Sequence, residues 1–327
     1  MKRTTLATVV LAWACAMACV PAQAQGKLLR FASAFDPQSM DPHALALQYQ
    51  TRVVSQIYEG LVNRDKDFKL APSLATSWEM TGPTTWRFKL RSGVAFHDGA
   101  PFTADDAVFS IERALKKTSQ RANQMRGIAA AKKIDALTIA VLTEAPDALL
   151  PDKLWLVAML SKPWAEKNNV ALPQDYNAKQ ETFAVRNANG TGPFTLVRYE
   201  ADVRTTLKAN PTWWGRSTPA GGGNLDQAQY QVIQADATRL AALASGQVDF
   251  VIDAPFQDLP RLKQDKSLKV LAIDDIGTQY LAFDQHRVEL QGSDVKGRNP
   301  FKDVRVRRAV YHAINAELIT QIGRAHV

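Results

Sequence analysis

The sequence contains only two cysteines, Cys15 and Cys19, among its 327 residues. Both lie within the first twenty positions, so no disulfide is available to the rest of the chain and its stability must come from a buried core. Short catalytic signatures are also missing. There is no HExxH, CxxC or GxSxG and no phosphate-binding loop, and the histidines at 43, 97, 286, 312 and 326 lack metal-ligand spacing. Residues 217–224, STPAGGGN, carry three glycines without the lysine and Ser/Thr of a phosphate loop and read as a surface loop. Beyond the first segment no apolar run is long enough to span a bilayer, and no internal repeat occurs. The formal charge is +8, but basic residues are scattered among acids without runs or interleaved aromatics, which excludes a nucleic-acid footprint and a polybasic membrane patch.

What is present begins with a leader. Met1, Lys2 and Arg3 precede an almost wholly apolar stretch, residues 6–20, and Ala22-Gln23-Ala24 supplies small residues before Gln25. This is the pattern of a secretory signal peptide over residues 1–24, cleaved at Ala24/Gln25. Cleavage would remove both cysteines together with Lys2 and Arg3. Lipidation of Cys19 is an alternative, but Ala16, Met17 and Ala18 lack the leucine expected three residues upstream.

The best-formed passage is residues 86–115. Trp86, Phe88 and Leu90 alternate with Arg87, Lys89 and Arg91, the period of a strand with one buried face. His97, Asp98, Gly99 and Pro101 then predict a turn, and Thr103 with Asp106 forms a capping box opening a helix. An adjacent His97 and Asp98 on a turn lacks the nucleophile and third group that catalysis needs. Elsewhere the pattern predicts a strand over 28–35, a helix over 49–61, and a strand at 77–80 paired with the one at 86. It further predicts a single strand over 134–142, a hairpin from 194–200 and 203–208, and a strand at 230–233. A helix capped by Asp236 or Thr238 and stopped at Gly246 precedes a buried strand at 248–252; this strand, helix, strand order implies a parallel sheet with a right-handed crossover. One more strand is expected over 280–284 and a helix over 304–319.

Seven strings occur in order: IYEGLV at 57–62, LAPSLATSWEM at 70–80, the 86–115 passage, TGPFTLVRYE at 191–200, NPTWWG at 210–215, ATRLAALASGQVDF at 237–250 and FKDVRVRRAVYHAIN at 301–315. With them the chain resembles family 5 of the periplasmic solute-binding proteins of ABC transporters, which take peptides, dipeptides or nickel. The resemblance implies an α/β chain with the type II periplasmic binding protein fold, two lobes plus an extra subdomain. Residues 25–69 and 190–278 would form the first lobe, 70–189 the extra subdomain and 279–321 the start of a second lobe that is incomplete here. Residues 322–327 coincide with a translated sequencing-adapter stretch and are expected to be a non-native tail.

By the same resemblance the protein is a periplasmic receptor that captures a peptide or other small solute by hinge closure and hands it to permease subunits in the inner membrane. It would act as a monomer, without cofactor, metal, catalytic residue or nucleic-acid partner. Ala46 and Gln48 map onto the loop that pairs with the ligand backbone; Thr191, Gly192, Tyr280 and Phe283 are the other candidate solute contacts. Thr191 and Gly192 read first as a structural turn, and Tyr280 and Phe283 equally as core. A non-peptide solute such as a nickel chelate, haem or an oligosaccharide is the alternative, with a periplasmic hydrolase or chaperone behind it. His43 beside Asp41 is a candidate ligand for a metal or haem-like solute, although it reads first as a solvated loop histidine.

Overall fold

The computed structural model describes residues 26–218, 223–272 and 280–319. The expected signal peptide, part of the glycine loop and the expected tail lie outside the described residues. By its internal contacts the chain divides into two units, with the boundary between Ile252 and Asp253.

Among the described residues the first unit carries three sheets. The largest is built from β1 (Leu28–Ser33), β8 (Phe194–Glu200), β9 (Arg204–Ala209), β10 (Gln227–Val232) and β11 (Phe250–Val251). Their order is β11-β1-β10-β9-β8, and both neighbours of β1 run parallel to it. The expected hairpin at 194–208 is β8 with β9. A two-stranded ribbon pairs β2 (Val62–Arg64) with β3 (Leu70–Pro72). The third sheet contains β4 (Ala75–Gly82), β5 (Thr85–Leu90), β6 (Ile128–Asp135) and β7 (Thr138–Thr143), in the order β4-β5-β7-β6.

The alternation read at 86–90 is realised in β5. Phe88 and Leu90 are buried while Arg87 and Lys89 face water, and Phe88 lies opposite Trp78 on one side and Ile139 on the other. Each such side chain taken from water contributes about 1.5–3 kcal/mol. The capping box also forms: the Thr103 N–H donates to Asp106 Oδ2 at 2.9 Å, while Asp106 Oδ1 accepts the Lys162 N–H at 2.8 Å. Two helices, α1 (Gln48–Val54) and α2 (Ala104–Ala114), supply Gln50 and Arg113 to the buried loop after β1. The buried side of α2 is largely alanine, at 104, 107 and 114, with Ile111, which permits close packing onto β6 and β7.

Several expectations are corrected. The single strand expected over 134–142 is a hairpin, β6 and β7, turning at Ala136 and Leu137; no Gly, Pro or Asn marks that turn. The helix expected to 61 ends at Val54, because Gly60 and its neighbours turn to pair β2 with β3. Helix α3 (Asp236–Ala244) starts from Ala235, without a side-chain cap, rather than from Asp236 or Thr238, although Gly246 does end it at φ 72°. Strand β11 is a two-residue edge strand with Phe250 exposed, not a buried one.

The second unit contains a short helix, Leu259–Gln264, and helix α4 (Val304–Ala313). Residues 280–284 do not form the expected strand; they are tied by side chains instead. Asn299 is buried and its Nδ2 donates to the carbonyls of Asp284 and Arg287 at 2.8 and 2.9 Å, and the Phe283 ring packs on Phe301 at 4.8 Å. Helix α4 stops at Ala313, short of the expected 319.

Candidate solute-binding site

The loop after β1 is held by a buried ion pair. Asp41 and Arg113, the latter from α2, are both almost inaccessible to solvent. The Arg113 Nη1 and Nη2 groups donate to the two Asp41 carboxylate oxygens at 2.8 and 2.7 Å. Nη1 also donates to His43 Nδ1 at 3.2 Å, Nη2 to the Leu172 carbonyl at 3.0 Å and Nε to the Val170 carbonyl at 3.1 Å. All five guanidinium hydrogens are therefore matched. Gln50 of α1 adds Nε2 bonds to the carbonyls of Ser39 and Asp41. Burial disfavours the Asp41 carboxylate, yet the Arg113 charge and hydrogen bonds hold its pKa below the usual range.

His43 is thereby corrected from a solvated loop residue to a fully buried one. With Nδ1 accepting from Arg113, its Nε2–H donates to the Ala158 carbonyl at 3.0 Å, the neutral tautomer. Burial, reinforced by Arg113, pushes its pKa down to about 3. Both ring nitrogens are occupied, which leaves no lone pair for a metal or haem iron.

Directly beside this clamp lies a cavity of about 90 Å³. Pro42, Thr51, Val54, Ser55 and Tyr58 line one wall, with Glu59, Asn63, Ser73, Arg121, Trp155 and Ala158 among the residues that complete it. Arg121 comes from a short 3₁₀ turn, Gln120–Met125, started by the Ser119 hydroxyl accepting the Arg121 N–H at 3.1 Å. Its side chain is only 3% exposed. Nη2 donates to Thr51 Oγ1 at 2.7 Å and Nη1 to Gln124 Oε1 at 3.3 Å, whereas Nε has no protein partner. Among the described residues no carboxylate lies within ion-pair distance of it. Burial lowers its pKa to about 10, so it stays charged at neutral pH.

Glu59, also in the lining, is the acidic counterpart. Its Oε2 accepts the Thr191 hydroxyl at 2.8 Å and the Trp214 indole at 3.0 Å, and its Oε1 accepts the Trp213 indole at 3.1 Å. Burial raises its pKa against the pull of these donors. The 97–98 turn braces the same region: His97 Nε2 lies 3.1 Å from the Gly192 carbonyl, and Asn189 Nδ2 donates to Asp98 Oδ2 at 2.8 Å.

The sequence-derived candidates fall in different places. Ala46 is half-buried, its N–H donating to Gln120 Oε1 at 3.2 Å next to Arg121, and Gln48 is exposed on the first turn of α1. Thr191 is buried on Glu59; Gly192 sits so close to the chain that an added Cβ would fall 2.7 Å from the Ile57 carbonyl oxygen. Tyr280 is 80% exposed and Phe283 half-buried, both in the second unit. Sequence reasoning missed Arg121 and Thr51. Nothing in SQRANQM distinguishes a buried arginine from a solvated one, because its burial depends on α1, seventy residues away in sequence.

Comparisons with known proteins bear on these features. The family model for bacterial extracellular solute-binding proteins, family 5, matches residues 69–324. Heme-binding protein A of Haemophilus influenzae is 28% identical over 81% of this chain and 49% of its own length. The dipeptide-binding protein of Escherichia coli is 27% identical over 92% of this chain and 56% of its own. The chain thus spans about half the length of the curated relatives it matches. In structure it is similar to the dipeptide-binding protein of Pseudoalteromonas sp. SM9913 in complex with Met-Leu, with TM-score 0.75 at 21% identity, covering 90% of this chain and 58% of that one. That likeness establishes the fold, the α/β type II arrangement expected from the sequence. The chain belongs to family 5 of the bacterial extracellular solute-binding proteins.

Proposed function

We infer that the protein is the periplasmic receptor of an ABC transporter, capturing a peptide or similar small solute by hinge closure and passing it to inner-membrane permease subunits. Residues 25–69 and 190–278 serve as its first lobe, 70–189 as an added subdomain and the segment from 279 as the beginning of a second. It is exported by cleavage at Ala24/Gln25 and acts as a monomer, without turnover of its solute.

The observation that carries this reading is the cavity beside α1, in a chain of a solute-binding family. Arg121 and Trp155 line it together with residues of α1, the helix that Gln48 opens just after Ala46. Small-molecule sites combine such apolar walls with a few placed polar groups. In this reading Ala46 and Gln48 border the cavity and Thr191 and Gly192 support it through Glu59 and Ile57; Tyr280 and Phe283 stay proposed solute contacts of the segment from 279.

Titration of the purified chain with di- and tripeptides, followed by calorimetry and by mass spectrometry of the recovered ligand, tests the proposal. Saturable binding with the peptide recovered intact is expected. Cleaved peptide would replace the receptor by a hydrolase. Binding of haem or a nickel chelate, with none of peptides, would select the non-peptide alternative that the Haemophilus relative's name suggests.

A further inference from the structure

We propose that the first unit carries a second ligand pocket, at the carboxyl ends of β1 and β8, which takes a sugar-sized polyhydroxylated molecule bearing a negative charge. The inference goes beyond the receptor reading and does not depend on what the cavity beside α1 holds.

Topology sets the place. Strand β9 runs antiparallel to both β8 and β10, and β10 runs parallel to β1, so β1 and β8 finish at the same end of the sheet. The space beyond the carboxyl ends of parallel strands is where open α/β sheets take their ligands. There Gln38, from the loop after β1, and Tyr199 and Ala201, at the end of β8, enclose a pocket of about 530 Å³ together with residues of the 174–186 segment. Small-molecule sites span roughly 300–1,000 Å³, so the size suits a mono- or disaccharide.

The backbone around the pocket is held in an uncommon shape. Gln38 and Lys179 of the lining, and Asp202 directly after Ala201, have φ of 65°, 54° and 58°, a conformation unfavourable for residues with a Cβ and concentrated at functional sites. Side chains fix it. The buried Asp36 carboxylate accepts the Gln38 N–H at 2.5 Å, the Asp202 N–H at 2.8 Å and the Tyr199 hydroxyl at 2.5 Å. The Tyr176 hydroxyl donates to Gln38 Oε1 at 2.6 Å.

The lining then supplies three kinds of group. Gln38, Asn177 and Gln180 bring carboxamides, which can donate to one hydroxyl and accept from another. Gln180 Oε1 already accepts the Asp175 N–H at 3.1 Å, which leaves its Nε2 to a ligand. Tyr176 and Tyr199 bring rings, apolar bodies suited to the C–H face of a sugar. Lys179 and Arg186 bring positive charge, against a single carboxylate in the lining, that of Glu181. Glu181 accepts only Arg186 Nε, at 2.8 Å, and among the described residues no carboxylate lies within ion-pair distance of Lys179. The Arg186 guanidinium lies 6.0 Å from the centre of the Tyr199 ring, and its Nη groups, free of protein acceptors, can fork onto an anion beside that ring.

Calorimetry and saturation-transfer NMR on the full chain test the pocket, with glucuronate and glucose 6-phosphate as probes and glucose as the uncharged control. A sugar anion is expected to bind with Kd below about 1 mM and glucose about tenfold more weakly or worse. Arg186→Gln and Lys179→Gln, both at exposed positions, should fold normally and each weaken the anion about five- to tenfold. Binding of either anion alone supports the inference and tells a carboxylate from a phosphate. Failure of both anions to bind overturns it, as do glucose binding as tightly as they do and anion binding that neither variant weakens. Peptide titrations of wild type and Arg186→Gln should coincide; loss of peptide binding in the variant would make the pocket part of the peptide site and overturn a second one. A wild type that binds a sugar anion but no peptide removes peptides from the receptor reading and leaves this inference standing.

Discussion

Arg113 and Arg121 lie close together in the sequence and are almost equally buried, at 1% and 3% exposure, yet their surroundings are opposite. Arg113 finds a bidentate carboxylate, an imidazole nitrogen and two carbonyls, and nothing about it is left unmatched. Arg121 finds a hydroxyl and an amide oxygen, and its Nε is buried without a protein partner. A buried charge that the fold itself neutralises is architecture. One that meets only neutral acceptors keeps the cost of its burial.

The sharpest way to break this comparison is to remove the matched arginine. Arg113→Met leaves Asp41 buried without its counter-charge, and the expected loss is about 3–5 kcal/mol in urea unfolding. Replacing Asp41 by Leu in the same chain should recover much of it, since apolar replacement of both partners is often close to neutral. A loss below about 1 kcal/mol for Arg113→Met would show that the pair is not the clamp its geometry indicates.

The second effect is one of pH. His43 has a folded pKa of about 3 against an unfolded value of about 6.5. Between these values the unfolded chain binds a proton that the folded chain refuses, so stability is fully present above about pH 6.5 and falls as the pH drops. The slope approaches about 1.4 kcal/mol per pH unit, or some 2–3 kcal/mol by pH 4.5. His97, its pKa also lowered by burial, adds to the fall in the same direction. The variant His43→Gln isolates the share of His43: its carboxamide can accept from Arg113 and donate to Ala158 without titrating. Urea unfolding at pH 7, 6, 5 and 4.5 should show a flatter acid limb for the variant, and parallel limbs would refute the assignment.

Glu59→Gln comes next. Three donors converge on the carboxylate, and an amide turns an N–H₂ group towards one of them, leaving that donor unmatched at a cost of about 1–3 kcal/mol. Thermal unfolding with an indole fluorescence readout would register both the loss and a changed environment at Trp213 and Trp214. An unchanged midpoint would mean that the Thr191 and indole bonds do little for the fold.

The legibility of each feature in the sequence depends on the range of the interactions that make it. The β4-β5 hairpin, the 97–101 turn and the Thr103–Asp106 cap all depend on residues within a few positions of one another, and local pattern revealed them. The β6-β7 turn was local too, but Lys133, Ile134, Asp135, Ala136 and Leu137 offer no Gly, Pro or Asn and only one residue of turn type, so the hairpin read as one strand. The burial of His43, Arg113 and Arg121 depends on partners such as Ala158 and Thr51, 115 and 70 positions away. In sequence a buried arginine and a solvated one look alike. The family resemblance therefore pointed to Ala46 and Gln48, whereas the buried arginine beside them required the three-dimensional structure.

The smallest expected change in stability belongs to Arg121, and its smallness is what separates the two arginines. Substituting Arg121→Gln removes a charge whose burial no carboxylate offsets, and with it the cost of keeping that charge out of water; it also loses the bonds to Thr51 and Gln124, each worth about 1 kcal/mol. These terms oppose one another, so urea unfolding should find the variant within about 1 kcal/mol of the wild type, several-fold less than for Arg113→Met. If Arg121→Gln were instead to cost as much stability as Arg113→Met, the guanidinium would be holding the 3₁₀ turn to α1, and the contrast between a matched and an unmatched arginine would not extend to stability.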